Sequence, residues 1–130
     1  MPFECVIDRD RRLVQTTWTG ELGFEDVRAY FEKLNQDPHF EPSFDQLCDF
    51  RQVSKWNLTF DALNVLRDFD PFSANSKRAM VAPGDVAYGL GRMYEAIKGG
   101  GFVVFREMSP ARTWLGLESA EKARGSGSSG

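Results

Sequence analysis

The chain has 130 residues, 42% hydrophobic and 27% charged, with a formal net charge of −3. That is the size and balance of one folded domain, too acidic for a broad nucleic-acid face, and no apolar run approaches the roughly 18–20 residues that span a bilayer. The unusual feature is phenylalanine, with 11 Phe beside 3 Tyr and 3 Trp.

Phe3 to Asp8 alternates, with Phe3, Cys5 and Ile7 on one face, and predicts a strand. The charged cluster Arg9-Asp10-Arg11-Arg12 reads as a solvated turn, and Leu13 to Thr19, ending at Gly20, as the second strand of a hairpin. Gly23 to Gln36 carries Phe24, Val27, Tyr30, Phe31 and Leu34 at helical spacing. Glu25 and Asp26 suit its first turn and Pro38 prevents its continuation. After the loop His39-Phe40-Glu41-Pro42, Phe44 to Phe50 reads as a third strand and Arg51 to Leu58 as a polar connection. Thr59 caps a second helix to about Phe69, with Ala62, Leu63, Leu66 and Phe69 facing inward, and Asp70-Pro71 stops it.

Lys77 to Ala82 is the fourth strand, apolar enough for a buried parallel one. Pro83-Gly84 ends it, and Asp85 is placed to cap a third helix with Val86, Leu90, Met93, Tyr94 and Ile97 on one face. Gly89 and Gly91 inside that helix each cost about 1 kcal/mol against alanine, so the sheet or a ligand should approach closely there. Gly99-Gly100-Gly101 stops the helix, Phe102 to Phe105 is the fifth strand, and Ser109-Pro110 starts a short last helix holding Ala111, Trp114 and Leu115. The order is β-β-α-β-α-β-α-β-α. It predicts an α/β domain over residues 1–118, a small mixed sheet of about five strands flanked by helices with the last three strands parallel. Residues 119–130 read as a flexible tail, ending in the low-complexity run Gly125-Ser126-Gly127-Ser128-Ser129-Gly130.

The start Met1-Pro2-Phe3-Glu4 lacks the basic and apolar regions of a secretory signal. Cys5 and Cys48 lie in apolar runs and read as buried free thiols. Together these predict a cytoplasmic protein. One histidine, two separated cysteines and the lack of HExxH or CxxC spacing predict no metal site and no cofactor. A nucleophile elbow, a P-loop and a GxGxxG fingerprint are all missing, so no enzyme activity is expected.

Ligands of open α/β sheets gather beyond the carboxyl ends of the strands. Those ends here carry Asp49-Phe50-Arg51 to Thr59, Pro83-Gly84-Asp85 and Arg106-Glu107. Asp49 and Arg51 suit polarising a substrate or holding an anion, or form a plain ion pair. Asp45 and Asp49 would stand about 13 Å apart in a strand, too far for one metal ion. Pro83-Gly84-Asp85 suits capping better than a phosphate cradle, since Asp85 competes for the same amides. His39, in a loop beside Phe40, reads as a surface residue, and Arg92, Lys98 and Arg106 as solvated cations. Around the second helix, Trp56, Phe60, Phe69 and Phe72 crowd together and Val65 widens its apolar arc, which marks either a deeply buried helix or one covering a cavity or partner surface. The candidate ligand-binding residues are therefore Asp49, Arg51, Trp56, Phe60, Phe69 and Phe72.

The element order, the segment Asp49-Phe50-Arg51-Gln52-Val53 leading to Thr59, Arg92-Met93 with Glu95, and Val104-Phe105-Arg106 followed by Ala111, Trp114 and Leu115 resemble the SpoIIAA-like branch of the STAS superfamily over residues 3–117. The resemblance implies a bacterial, non-enzymatic regulatory or ligand-binding module near the third strand's exit. In that family a serine at the start of the following helix is phosphorylated within an Asp-Ser-Ser-Gly run. This chain reads Asn57-Leu58-Thr59-Phe60 there, so Leu58 replaces the acceptor and only Ser54 or Thr59 could be displaced acceptors. A phosphorylation-switched antagonist or a small enzyme is the alternative. The branch also resembles CRAL-TRIO lipid carriers, which implies a small apolar or acyl ligand, a regulatory protein partner, or at most peripheral membrane contact. A homodimer stays open.

Overall fold

The computed structural model describes residues 2–117; the tail expected at 119–130 lies outside them. The elements are β1 (Phe3–Asp8), β2 (Leu13–Gly23), α1 (Phe24–Gln36), β3 (Asp45–Asn57), α2 (Phe60–Phe69), β4 (Lys77–Val81), α3 (Asp85–Lys98), β5 (Gly101–Phe105) and α4 (Met108–Trp114). This is the expected β-β-α-β-α-β-α-β-α order, and the class is α/β.

The sheet runs β1-β2-β3-β4-β5 in sequence order. β1 pairs antiparallel with β2, and every later pair is parallel. The order never reverses, so the sheet has no switch point. Each crossover moves one strand along in the same sense, and α1, α2 and α3 all fall on one face. That face is built from period-2 positions: Phe3, Val14, Trp18, Cys48, Met80, Phe102 and Val104 pack with Tyr30, Phe31, Leu34, Leu63, Leu66, Ala87 and Tyr94 of the helices. The opposite face carries Leu13, Leu47, Ala79 and Val81, which pack with Ala111 and Leu117 around α4.

Several boundaries differ from the expectation. Arg51 to Leu58 is not a connection, because β3 runs on to Asn57 and β2 runs on to Gly23. The two extensions pair only with each other, from Thr19↔Gln52 to Gly23↔Asn57, with irregularities at Thr17/Thr19 and Gly20/Glu21. Exposed side chains on a free ribbon need no apolar run, so polarity there mimicked a loop. Gly20 sits beside one irregularity with φ of 73°, a conformation that disfavours any other residue. Gly84 caps α3, not Asp85, which occupies the first helical turn. α4 starts at Met108 behind Glu107, ahead of Ser109-Pro110.

The third helix explains one of its two glycines. A Cβ on Gly91 would stand 2.8 Å from a Val104 methyl, so α3 lies on β5 at a distance only glycine permits. Gly89 has open space around it. Val86, expected inward, is 67% exposed, and Ala87 takes its place against the core.

Candidate functional site

A line of buried polar groups crosses the helix-covered face. On β3 and β4, Gln46 pairs with Arg78 in register, and Arg78 with Phe102 on β5. Arg78 shares the inward side with Met80, so its guanidinium enters the core with its side chain 3% exposed. Four contacts accommodate it. Its Nη1 donates to Asp70 Oδ2 at 2.7 Å, its Nε donates to Gln46 Oε1 at 2.9 Å, and the Phe72 and Phe102 rings flank it at 4.4 and 5.2 Å. The Asp70 side chain is fully buried. Asp70 ends α2, and it also accepts from Tyr94 Oη at 2.6 Å and from the Phe72 amide at 3.0 Å. The line continues through Gln46 Nε2, which donates to Tyr30 Oη at 2.8 Å, and on to Thr16 Oγ1 at 2.7 Å from that hydroxyl. Burial holds both tyrosines protonated far above their ordinary range, and the Asp70 charge adds to the effect at Tyr94.

Beside this line lies an apolar cavity of about 90 Å³. Its floor is the sheet, through Trp18, Leu22, Cys48, Phe50, Trp56, Met80 and Ala82. Its walls come from Val27, Tyr30 and Phe31 of α1 and from Ala87, Leu90, Gly91 and Tyr94 of α3. Leu63 and Leu66 of α2 form its roof. Val27, Phe50, Trp56, Leu58 and Leu90 retain partial exposure and mark its outer end. Gly91 lines the cavity too, so the close approach of α3 sets its width. An apolar cavity of about 150 Å³ stays dry and takes benzene; this one, at about 90 Å³, is considerably smaller, so a six-carbon chain enters it only if side chains at its outer end move. The Cys48 thiol in its floor is pushed up to about 12, first by burial, so it stays protonated and inert at neutral pH. Cys5 is only half-buried, and its thiol is also raised by burial.

The structure disperses the residues singled out from the sequence. Trp56 reaches the cavity. Phe72 is core, 3% exposed, lies against the Arg78 guanidinium and meets Phe40 edge to face with ring centroids 5.2 Å apart. Phe60 and Phe69, at 52% and 44% exposed, point outward from α2 with Val65, although Phe69 was expected inward. Asp49 lies on the α4 side of the sheet, in register with Val81, away from the cavity. Arg51 grips it through Nε at 2.9 Å and Nη2 at 2.8 Å, with the Arg51 amide at 3.0 Å from Oδ1. Burial raises the Asp49 carboxyl, but these Arg51 bonds outweigh it and hold the group below its ordinary value. Of the roles the sequence offered for these two residues, the plain ion pair is the one formed.

The other strand end is closed as well. Arg106 Nη1 donates to Asp85 Oδ1 at 2.8 Å and to the Pro83 carbonyl at 3.0 Å. Ser54 is exposed on the β3 extension, and Thr59 Oγ1 accepts from the Ala62 amide at 3.1 Å as the α2 cap. His39 lies in its exposed loop, 3.5 Å from Arg9 Nη1. Among the described residues, no group of three or more His, Cys, Asp or Glu side chains could hold a metal ion, and no helix is long and apolar enough to cross a membrane.

The sequence reading missed the buried polar line. Its signal was present at Arg78, a charge at an inward position of a strand whose other inward residues are apolar.

No protein-family model matches the sequence, and no curated protein does. A solved structure does match: an uncharacterised protein of the DUF3478 family from Shewanella loihica PV-4, described as having a SpoIIAA-like fold. The two superpose with a TM-score of 0.54 over 87% of this chain and 93% of that one, at 18% identity. The fold is SpoIIAA-like. A SpoIIAA-like sheet with three helices on one face leaves its middle helix, α2, packed chiefly on α1 and α3 rather than on the strands. The cavity occupies the space beneath it.

Proposed function

We propose that this SpoIIAA-like domain is a non-enzymatic STAS-like module that binds a small apolar or acyl ligand between the sheet and α2. The observation that carries the reading is the cavity itself. An interior is ordinarily packed without voids larger than a water molecule, and this one keeps about 90 Å³ open beneath α2. Its roof helix packs chiefly on two other helices and is tied to the sheet at its C-terminal end by the Asp70–Arg78 pair. The buried polar line thus fixes both the far wall and that end of the roof. The four charges at the strand ends pair with one another, Asp49 with Arg51 and Asp85 with Arg106.

Native mass spectrometry of gently purified protein tests the reading. The expected spectrum contains a population heavier than the chain, which reverts to the chain mass on denaturation. The tryptophan emission, with Trp18 and Trp56 in the cavity wall, should also change when hexane or 2-hexanone is added. A clean chain mass together with an unchanged emission contradicts it.

A second reading rests on a separate observation. Phe60, Val65 and Phe69 leave an exposed apolar face on α2, which suits contact with a regulatory protein partner. Substituting Phe60 and Phe69 by serine leaves the cavity lining intact, so loss of partner capture with ligand binding retained would favour this reading over the first.

A further inference from the structure

The roof helix is held very differently at its two ends. Where α2 stops, the buried Asp70 carboxylate accepts from Arg78 Nη1 on β4 at 2.7 Å, from Tyr94 Oη on α3 at 2.6 Å and from the Phe72 amide at 3.0 Å. The first two bonds join the end of α2 to the sheet and to α3, and pulling them apart would strand a charge out of reach of water. At its start, the polar contacts of α2 stay inside the helix. Thr59 Oγ1 takes the Ala62 amide at 3.1 Å, and Asn64 Nδ2 reaches the Phe60 carbonyl at 3.5 Å. Only Leu58 and Thr59 separate α2 from β3, whose own end is the ribbon paired with β2 alone.

Each helix returns against the direction of the parallel strands, so the first turns of α1, α2 and α3 meet at the strands' carboxyl ends. The partly exposed cavity residues lie at that edge: Val27 in the first turn of α1, Trp56 on the ribbon, Leu58 just ahead of α2, and Leu90 in the first half of α3. The latch is at the opposite edge, since Arg78 is the second residue of β4.

Resting on the cavity reading above, we infer that α2 is a lid hinged at its Asp70 end, whose first half swings out past Leu58 while the Asp70–Arg78–Tyr94 latch stays closed, so that the ligand passes between Leu58, Val27 and Leu90. α3 stays on the sheet, where Gly91 seats against Val104 and Tyr94 meets Phe102 edge to face at 5.1 Å.

Cys48, in the cavity floor, is a reporter of this motion, because a reagent meets its thiol only when the cavity opens. The test follows the rate at which methyl methanethiosulfonate modifies Cys48 in the ligand-free protein, read from the mass of its tryptic peptide. Cys5 falls on a separate peptide, since Arg9, Arg11 and Arg12 lie between the two. Leu58→Ala loosens the mouth, and Tyr94→Phe removes one latch bond. Both should lower the global stability to urea, but bonds that stay closed in the open state do not enter the opening equilibrium. The expected result is therefore a split. Leu58→Ala speeds modification roughly tenfold through the packing lost at the mouth, and Tyr94→Phe leaves it within about twofold. Low urea should raise the rate far less steeply than it raises global unfolding, and saturating 2-hexanone should slow it. If Leu58→Ala fails to fold, the smaller cut Leu58→Val carries the same prediction. Equal acceleration in both variants, acceleration in Tyr94→Phe alone, or a rate that tracks global unfolding in urea overturns the hinge and leaves the cavity reading standing. The split without protection by 2-hexanone upholds the hinge and counts against the ligand reading.

Discussion

Arg78 and Asp70 are the residues whose placement costs this domain most. Each is nearly or wholly withdrawn from water, and each is stabilised chiefly by the other. Removing one partner of such a pair typically costs about 3–5 kcal/mol, whereas replacing both by apolar groups is often close to neutral. Urea unfolding of Asp70→Asn should therefore show a loss of about 3 kcal/mol or more, and adding Arg78→Met should recover much of it. Equal losses in the single and double variants would mean that the pair is not coupled. Asp49 and Arg51 behave differently, because Arg51 is half exposed. The Asp49 carboxyl lies below its ordinary value, so the pairing adds stability above the unfolded carboxyl pKa of about 3.9 and loses it as pH falls through the lower folded value. Unfolding of Arg51→Ala and the unsubstituted chain, compared from pH 6 down to pH 3, should show a gap that narrows below about pH 4. At this scale the sequence was only partly informative. Trp56 and the Thr59 cap were legible from residue type and spacing. The Asp70–Arg78 pair was not, since Asp70 before proline reads locally as a helix stop, and only the fold brings Tyr94 and Arg78 to the same carboxylate.

Among the elements, α3 carries the sharpest local test. Alanine in an exposed helix interior is favoured over glycine by about 1 kcal/mol. Gly89 has room for a methyl group, and Gly91 has Val104 at 2.8 Å. Gly89→Ala should raise the thermal midpoint, and Gly91→Ala should lower it, with overpacking costing about 1–3 kcal/mol against the helix gain. Gly91→Ala should also reshape the cavity, which the same residue lines. Both glycines looked alike in the sequence, because periodicity places them in one helix but does not say which faces the sheet. The β2–β3 ribbon was illegible for a related reason. Only Leu22, Val53 and Trp56 of its residues pack toward the core, too sparse a set among exposed polar neighbours to read as a strand. The core strands, by contrast, announce themselves, because burial on both faces demands the apolar runs seen in Leu47-Cys48 and Ala79-Met80-Val81.

For the whole molecule, the sequential strand order puts three helices on one face and α4 on the other. That arrangement was legible as an alternation of strands and helices, and the SpoIIAA-like resemblance agrees with the fold found. The place of the cavity was legible only in part, through the wide apolar arc of α2 that offered a covered cavity. Strand ends drew attention to Asp49, Arg51, Asp85 and Arg106, yet those charges close on one another. The open space lies between layers, which no single segment encodes. The phenylalanine excess divides along the same line. Phe40 and Phe72 pack into the core, while Phe60 and Phe69 decorate the outside of the roof helix. On the proposed reading, an apolar molecule has two places to go, beneath α2 or upon it. Mapping the amide shifts of ¹⁵N-labelled protein during a titration with 2-hexanone separates them. Saturable shifts concentrated at Leu63, Leu66, Tyr94 and Phe102, whose side chains line the cavity, are the predicted result. Shifts confined to the exposed side of α2 around Phe60 and Phe69, or none at saturation, would contradict it.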